Sequence, residues 1–162
     1  MFDPSTFRIY RNTCSLEGVV EALDKGSLLM PQVRSSGVIW ATGLVECLIL
    51  RAGIGNLLVV MGNPVLEDGK YVSHDRLVDG AARISMLDSF LKDGWKAQGS
   101  KYFPALNGKL FSELDPATRR RIRESEISLV EMDTRMTSDM KMDYASKVMD
   151  GETLKVLERI PA

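Results

Sequence analysis

Histidine is almost missing from this chain: His74 is the only one in 162 residues, and cysteine is confined to Cys14 and Cys47. One imidazole leaves the common histidine-containing zinc sites and the Ser-His-Asp or Cys-His nucleophile arrangements without material. The cysteines have 32 residues between them, which is neither a disulfide framework nor a metal-ligand spacing, so they read as reduced thiols. Long apolar runs are missing too. Runs such as Leu48-Ile49-Leu50 and Leu57 to Met61 are far too short to cross a bilayer. Met1 to Arg8 carries no apolar signal segment, so a cytoplasmic protein without a membrane partner is expected. Neither charge dominates: 21 Lys plus Arg face 22 Asp plus Glu. That balance excludes a general basic coat and confines any nucleic-acid contact to a local patch.

What remains is ordinary globular material, with 44% hydrophobic and 27% charged residues. A chain of this length buries about 70% of its unfolded surface on folding and needs no staple. No repeat or long linker divides it, so a single domain over 1–162 is expected. Phe7 to Tyr10 reads as a strand, and Ser15 can cap a helix ending at Lys25-Gly26. Leu28 to Met30 reads as a strand stopped by Pro31, and a polar loop from Gln32 to Gly37 precedes a helix over about Thr42 to Arg51. Asn56 to Met61 and Lys70 to Val78 suggest a hairpin across a turn-rich segment. A helix then runs to Asp93-Gly94. The stretch from Trp95 to Gly108 fits no single pattern. Pro116 to Ser125 predicts a polar helix, Ile127 to Met132 a strand, and Ser138 the cap of a last helix reaching Met149. Short strands mixed with helices, without regular alternation, place the chain in the α+β class.

The segment with most chemical content is Arg76-Leu77-Val78-Asp79-Gly80-Ala81-Ala82-Arg83-Ile84-Ser85-Met86-Leu87. A glycine turn feeding a helix exposes unpaired N–H groups at the positive end of the helix dipole, which suits an anion. Asp79 can cap that helix, and Arg83, one turn on, can reach a phosphate bidentately. The same residues are equally compatible with a plain cap, a turn glycine and an ion-paired arginine.

Read with its surroundings, the segment resembles the GmrSD-type N-terminal domain family. Members carry an Asp-Gly-Gln-Gln-Arg motif on a ParB/sulfiredoxin-like fold, a mixed sheet with surrounding helices. The resemblance is carried by Leu29-Met30-Pro31-Gln32-Val33-Arg34, Trp40, Leu48 to Gly55 and Asp79-Gly80-Ala81-Ala82-Arg83-Ile84-Ser85-Met86-Leu87, in the family's order. It continues through Lys109 to Leu114, Ile127 to Met132 and Ala145 to Leu154 with Asp150-Gly151, covering about residues 15–155. Departures are specific: Ala81 and Ala82 stand where the family has glutamines, Val33-Arg34 replaces a Gln-Arg pair, and the spacer before Trp40 is longer. The resemblance implies a nucleotide site lined by Arg34, Asp79, Gly80, Ala81, Ala82 and Arg83, holding a nucleoside triphosphate with Mg2+. It implies NTP hydrolysis or phosphoryl transfer, with Asp79 and Arg83 as catalytic residues, linked to DNA restriction, modification, or phage defence and counter-defence. The alternative is a non-catalytic module that keeps the fold and binds DNA or a DNA-processing protein. No room is expected for the nuclease domain that often follows in the family. The sulfiredoxin branch's cysteine chemistry is not expected, because neither Cys14 nor Cys47 has the required histidine and arginine context.

Two further features bear on partners. His74, five residues before Asp79, can serve as a proton carrier beside a bound phosphate or simply as a hydrogen-bonded strand residue. Arg119, Arg120, Arg121 and Arg123 form the one dense basic run, either a nucleic-acid contact or a solvated face paired with flanking carboxylates. The nine methionines read as core filler or partner surface.

Overall fold

Alternating apolar residues in the strands and one-sided apolar stripes in the helices build the sheet-centred fold seen in a computed structural model, which describes residues 8–148. The strands are β1 (Ile9–Ser15), β2 (Leu28–Leu29), β3 (Leu57–Val60), β4 (Val65–Glu67), β5 (Lys70–Val72), β6 (Asp75–Asp79) and β7 (Glu126–Met132). The helices are α1 (Leu16–Lys25), α2 (Val38–Ile49), α3 (Ala81–Leu91), α4 (Pro116–Arg123) and α5 (Ser138–Val148). One sheet has the order β1-β7-β3-β6-β2, and β4 and β5 form a separate ribbon. The β7–β3 and β6–β2 pairs are parallel, while β1–β7 and β3–β6 are antiparallel. The α+β expectation holds.

The two faces of the sheet are closed by different elements. Leu57, Val59, Leu77 and Ile127 pack with Leu16, Val45, Leu48, Ile84, Leu87, Phe90 and Ile122, which come from α1 to α4. On the other face Leu58, Val60, Val78, Val130 and Met132 meet Met136, with Met140, Met142 and Tyr144 of α5 against them. The period of two in a strand sends consecutive residues to these two cores. Four of the methionines thus serve as packing, as their flexible side chains suit.

Several sequence-based expectations are corrected in detail. Ser15 does cap α1, accepting a 3.0 Å bond from the Gly18 N–H, and Gly26 ends that helix at φ 75. Helix α2 begins four residues earlier than expected, at Val38, because Gly37 serves as its N-cap. The run from Lys70 to Val78 is two strands in two sheets: β5 pairs with β4, whereas β6 pairs with β3 and β2. Thr137 rather than Ser138 caps α5, its Oγ1 accepting from the Met140 N–H at 3.3 Å. Phe7, Met149 and the Asp150-Gly151 turn lie outside the described residues.

Among the described residues no helix is long and apolar enough to cross a membrane.

Candidate functional site

Strand direction decides which candidates can meet. β3 and β7 start, and β6 and β2 finish, at the same end of the sheet, as their mutual pairing requires. That end gathers Asp79-Gly80, the first turn of α3, the loop 50–56 that enters β3, and the C-terminal end of α4. Because Leu28 and Leu29 run parallel to Asp75 and Arg76, the chain enters the loop 30–37 that carries exposed Arg34 level with Leu77, heading toward the end where β6 finishes at Asp79. His74 lies elsewhere. It precedes β6, so the whole strand separates it from Asp79, roughly 16 Å at ~3.3 Å per residue.

Gly80, not Asp79, occupies the N-cap of α3, at φ 93 and without a side-chain cap. A Cβ there would run into Leu57 Cδ2 and stand 3.0 Å from Arg83 Nη2. Gly55, at φ 83, is matched to the same guanidinium, since a Cβ would sit 2.8 Å from Arg83 Nη1. Two glycines in the left-handed region therefore clear the space that the arginine fills. Its nitrogens are engaged: Nη1 donates to the Ile54 carbonyl at 2.5 Å and Nη2 to the Asn56 carbonyl at 3.1 Å. Nη2 also lies 3.6 Å from Asp79 Oδ2, with the two side chains 19% and 28% exposed. The fork that matches a phosphate here grips two backbone carbonyls. Arg83 thus ties the α2–β3 loop to the start of α3, and its reading as a free phosphate ligand is corrected to that of a clamp. Ala81 is buried and Ala82 partly so, so both offer this end backbone groups only.

His74 is a latch at the opposite end. Nδ1 lies 2.8 Å from the Gly26 carbonyl and Nε2 2.8 Å from Glu67 Oε1. The bond to the Glu67 carboxylate, more than any other influence, raises its pKa above the usual histidine value, and the Gly26 carbonyl adds to it. The neighbouring Asp75 accepts from the Gly62 N–H at 2.9 Å. The imidazole joins the β4–β5 ribbon to the end of α1.

The arginine run does not act as one face. Arg121 Nε donates to the Ile49 carbonyl at 2.5 Å, closing the C-terminal end of α2. Arg123 lies 5.0 Å above the Phe111 ring, a cation–π contact. Arg119 is partly buried and its charge acts on Asp93, whose carboxyl is held below the usual range first by the Ser112 N–H. Arg120 is exposed, and with Arg121 and Arg51 it lines a cleft of about 730 Å³ between α4, the end of α2 and the start of β7. Comparison with family models, curated proteins and solved structures returned no match.

Two features were not legible in the sequence. Arg51 has φ 57, at the position just past α2 where glycine is usual, with Ala52 N–H bonded to Cys47 O and Arg51 N–H to Leu48 O. The expected helix ended at Arg51, but nothing in the sequence marked that residue's left-handed backbone. Glu46, buried on α2, accepts from the Ser100 hydroxyl and from the N–H groups of Lys101 at 2.7 Å and Tyr102 at 2.9 Å. This carboxylate organises the otherwise patternless Trp95 to Gly108 stretch. No group of three or more histidine, cysteine, aspartate or glutamate side chains among the described residues is placed to hold a metal ion.

Proposed function

We propose that the chain binds the phosphate groups of a nucleotide at the sheet end formed by loop 30–37 and the β6–α3 turn. The observation that supports this reading is the parallel β2–β6 pairing, which directs the chain entering the Arg34 loop toward the sheet end where a glycine caps a helix start. Backbone N–H groups at a helix start and an exposed guanidinium are complementary to phosphate oxygens. Arg83 serves as a positioning residue: by holding the Ile54 and Asn56 carbonyls, it fixes the loop beside that turn.

The family resemblance points to a nucleoside triphosphate accompanied by Mg2+. A magnesium ion held mostly by phosphate oxygens and water needs only one or two protein carboxylates, and Asp79 is the carboxylate at this turn. Hydrolysis or phosphoryl transfer would also need a group that orients water or an acceptor, and Ala81 and Ala82 have no polar side chain for it. Nucleotide binding, linked to DNA restriction, modification or phage defence, is therefore the activity proposed, ahead of turnover. A non-catalytic module is the second reading, favoured by the engagement of the Arg83 fork.

Calorimetry with ATP, GTP and CTP, each with and without Mg2+, tests the assignment on the wild type and on Arg34→Ala. Arg34 is exposed, so the variant should fold. The expected result is binding of at least one nucleotide, raising the melting temperature, with affinity reduced in Arg34→Ala. Absence of binding to every nucleotide, or unchanged affinity in the variant, overturns it.

A further inference from the structure

The cleft at the end of α4 is a second place where this sheet end presents positive charge, and its side chains come from parts of the sequence far apart. We propose that the cleft lined by Arg51, Arg120 and Arg121 binds the phosphodiester backbone of a nucleic acid.

Three observations converge on this. The first is conformational. Arg51 holds the left-handed position that closes α2, where a side chain other than glycine or asparagine is disfavoured. In the matching position after α3, Asp93 at φ 59 uses its carboxylate to accept the Ser112 N–H at 2.8 Å. A strained non-glycine residue points to a use for its side chain, and that of Arg51 lines the cleft. The second is preorganisation. Arg121 is fixed through Nε on the Ile49 carbonyl, which orients the guanidinium before any ligand arrives and lowers the ordering cost of binding.

The third is the pattern of charge, which selects the chemical class. Glu124 and Glu126 share the lining with the arginines, so the cleft mixes both signs rather than concentrating positive charge. A triphosphate concentrates several negative charges in one place and is poorly matched to that arrangement. A backbone with one charge per phosphate can seat its phosphates on the arginines and pass the carboxylates between them. A second depression, of about 290 Å³, lies next to the cleft: Ser128 lines both, and Arg11, Asn12 and Thr13 of β1 line the second. It adds a further arginine near the first three. Among the described residues no aromatic side chain lines either depression, so the proposed contact is with phosphate and sugar, without sequence readout.

The test is fluorescence anisotropy with a labelled oligonucleotide of about 20 nucleotides, as a single strand and as a duplex, between about 50 and 200 mM salt. Two variants accompany the wild type: Arg51→Gly, which removes the charge while relieving the backbone, and Arg120→Glu on an exposed position. The expected result is binding of one or both nucleic-acid forms that weakens with salt, with a log–log slope of about −2 to −3 for a single strand. Each variant should weaken binding and flatten the slope by about 0.7, while the melting temperature of Arg51→Gly stays level or rises. The single-strand and duplex arms identify which form carries the backbone. Absence of binding at the lowest salt, or binding that both variants leave unchanged, overturns the proposal. So does displacement of the oligonucleotide by inorganic phosphate at equal phosphate concentration. Nucleotide calorimetry on the same two variants keeps the outcome separate from the nucleotide reading, since neither residue belongs to the Arg34 loop or the Asp79 turn.

Discussion

The two ends of the central sheet hold their surroundings together by opposite means. At the end where β6 finishes, a permanently charged guanidinium fills a space made by Gly55 and Gly80 and bonds the Ile54 and Asn56 carbonyls. At the end where β6 begins, a titratable imidazole bridges the Gly26 carbonyl and the Glu67 carboxylate. The first contact is three-quarters or more shielded on the arginine side, the second is 38% and 49% exposed. A clamp of fixed charge and close steric fit keeps its geometry at any working pH. A solvated, titratable latch adds little to the fold and changes with pH. The proposed ligand sites cluster at the clamped end, where geometry is held.

Breaking the clamp should therefore cost most. In Gly80→Ala the new Cβ meets Leu57 Cδ2 and Arg83 Nη2 at φ 93. A left-handed penalty of about 1–2 kcal/mol and overpacking of about 1–3 kcal/mol predict a loss of about 2–5 kcal/mol in denaturant unfolding. Gly69→Ala is the control from the other end: φ is 77 but the space around it is open, so only the conformational part, about 1–2 kcal/mol, is expected. Equal losses in the two variants would show that the close fit around Arg83 contributes nothing. Next comes Arg83→Ala, which leaves the Ile54 and Asn56 carbonyls without their donor. About 2–3 kcal/mol should be lost, and Arg83→Lys should recover only part, because an ammonium cannot span both carbonyls as a fork does.

How much of this was readable beforehand follows from which interactions are local. The Ser15 cap, the Gly26 stop and Pro116 at the head of α4 are encoded within a few residues, and each stands where the sequence puts it. Asp79, Gly80 and Arg83 were legible as a loop of consequence, yet their roles were not. Arg83 meets carbonyls 29 and 27 residues away, and no periodicity reports such a partner. The dense arginine run was legible as a nucleic-acid contact or a solvated, ion-paired face, and a helix turns successive residues about 100° apart. Arg120 and Arg121 share the cleft, while Arg119 is partly buried and Arg123 stacks on Phe111; the arginine from outside the run, Arg51, became visible only through its backbone angle. The same holds for Glu46, whose partners Ser100, Lys101 and Tyr102 lie 54 to 56 residues on.

Glu46 and His74 sharpen the comparison through pH, because their contributions fade in opposite directions. Burial pushes the Glu46 carboxyl upward, but bonds from the Ser100 hydroxyl and the Tyr102 and Lys101 N–H groups outweigh it and hold the pKa below the usual value. Its stabilising effect is complete above the unfolded value of about 4.3 and disappears as pH falls through the lower folded value. Glu46→Gln should cost about 1.5–3 kcal/mol at neutral pH and flatten the acid limb of a plot of melting temperature against pH.

His74 gives the smallest effect and the opposite sign. Two acceptors face its two ring nitrogens, so only the imidazolium donates to both, and its folded pKa lies above the unfolded value of about 6.5. The contribution is fully present below that pH and is lost as pH rises through the folded pKa. In His74→Gln the melting temperature should fall relative to wild type in mildly acidic buffer and converge with it in alkaline buffer, with Glu67→Gln moving in parallel. Measured on one protein series, a difference between wild type and His74→Gln that is the same at both pH values would mean the imidazole is held as a neutral hydrogen-bonding group. The two ends of the sheet would then differ in exposure alone, and only the clamped end would retain charge as part of its design.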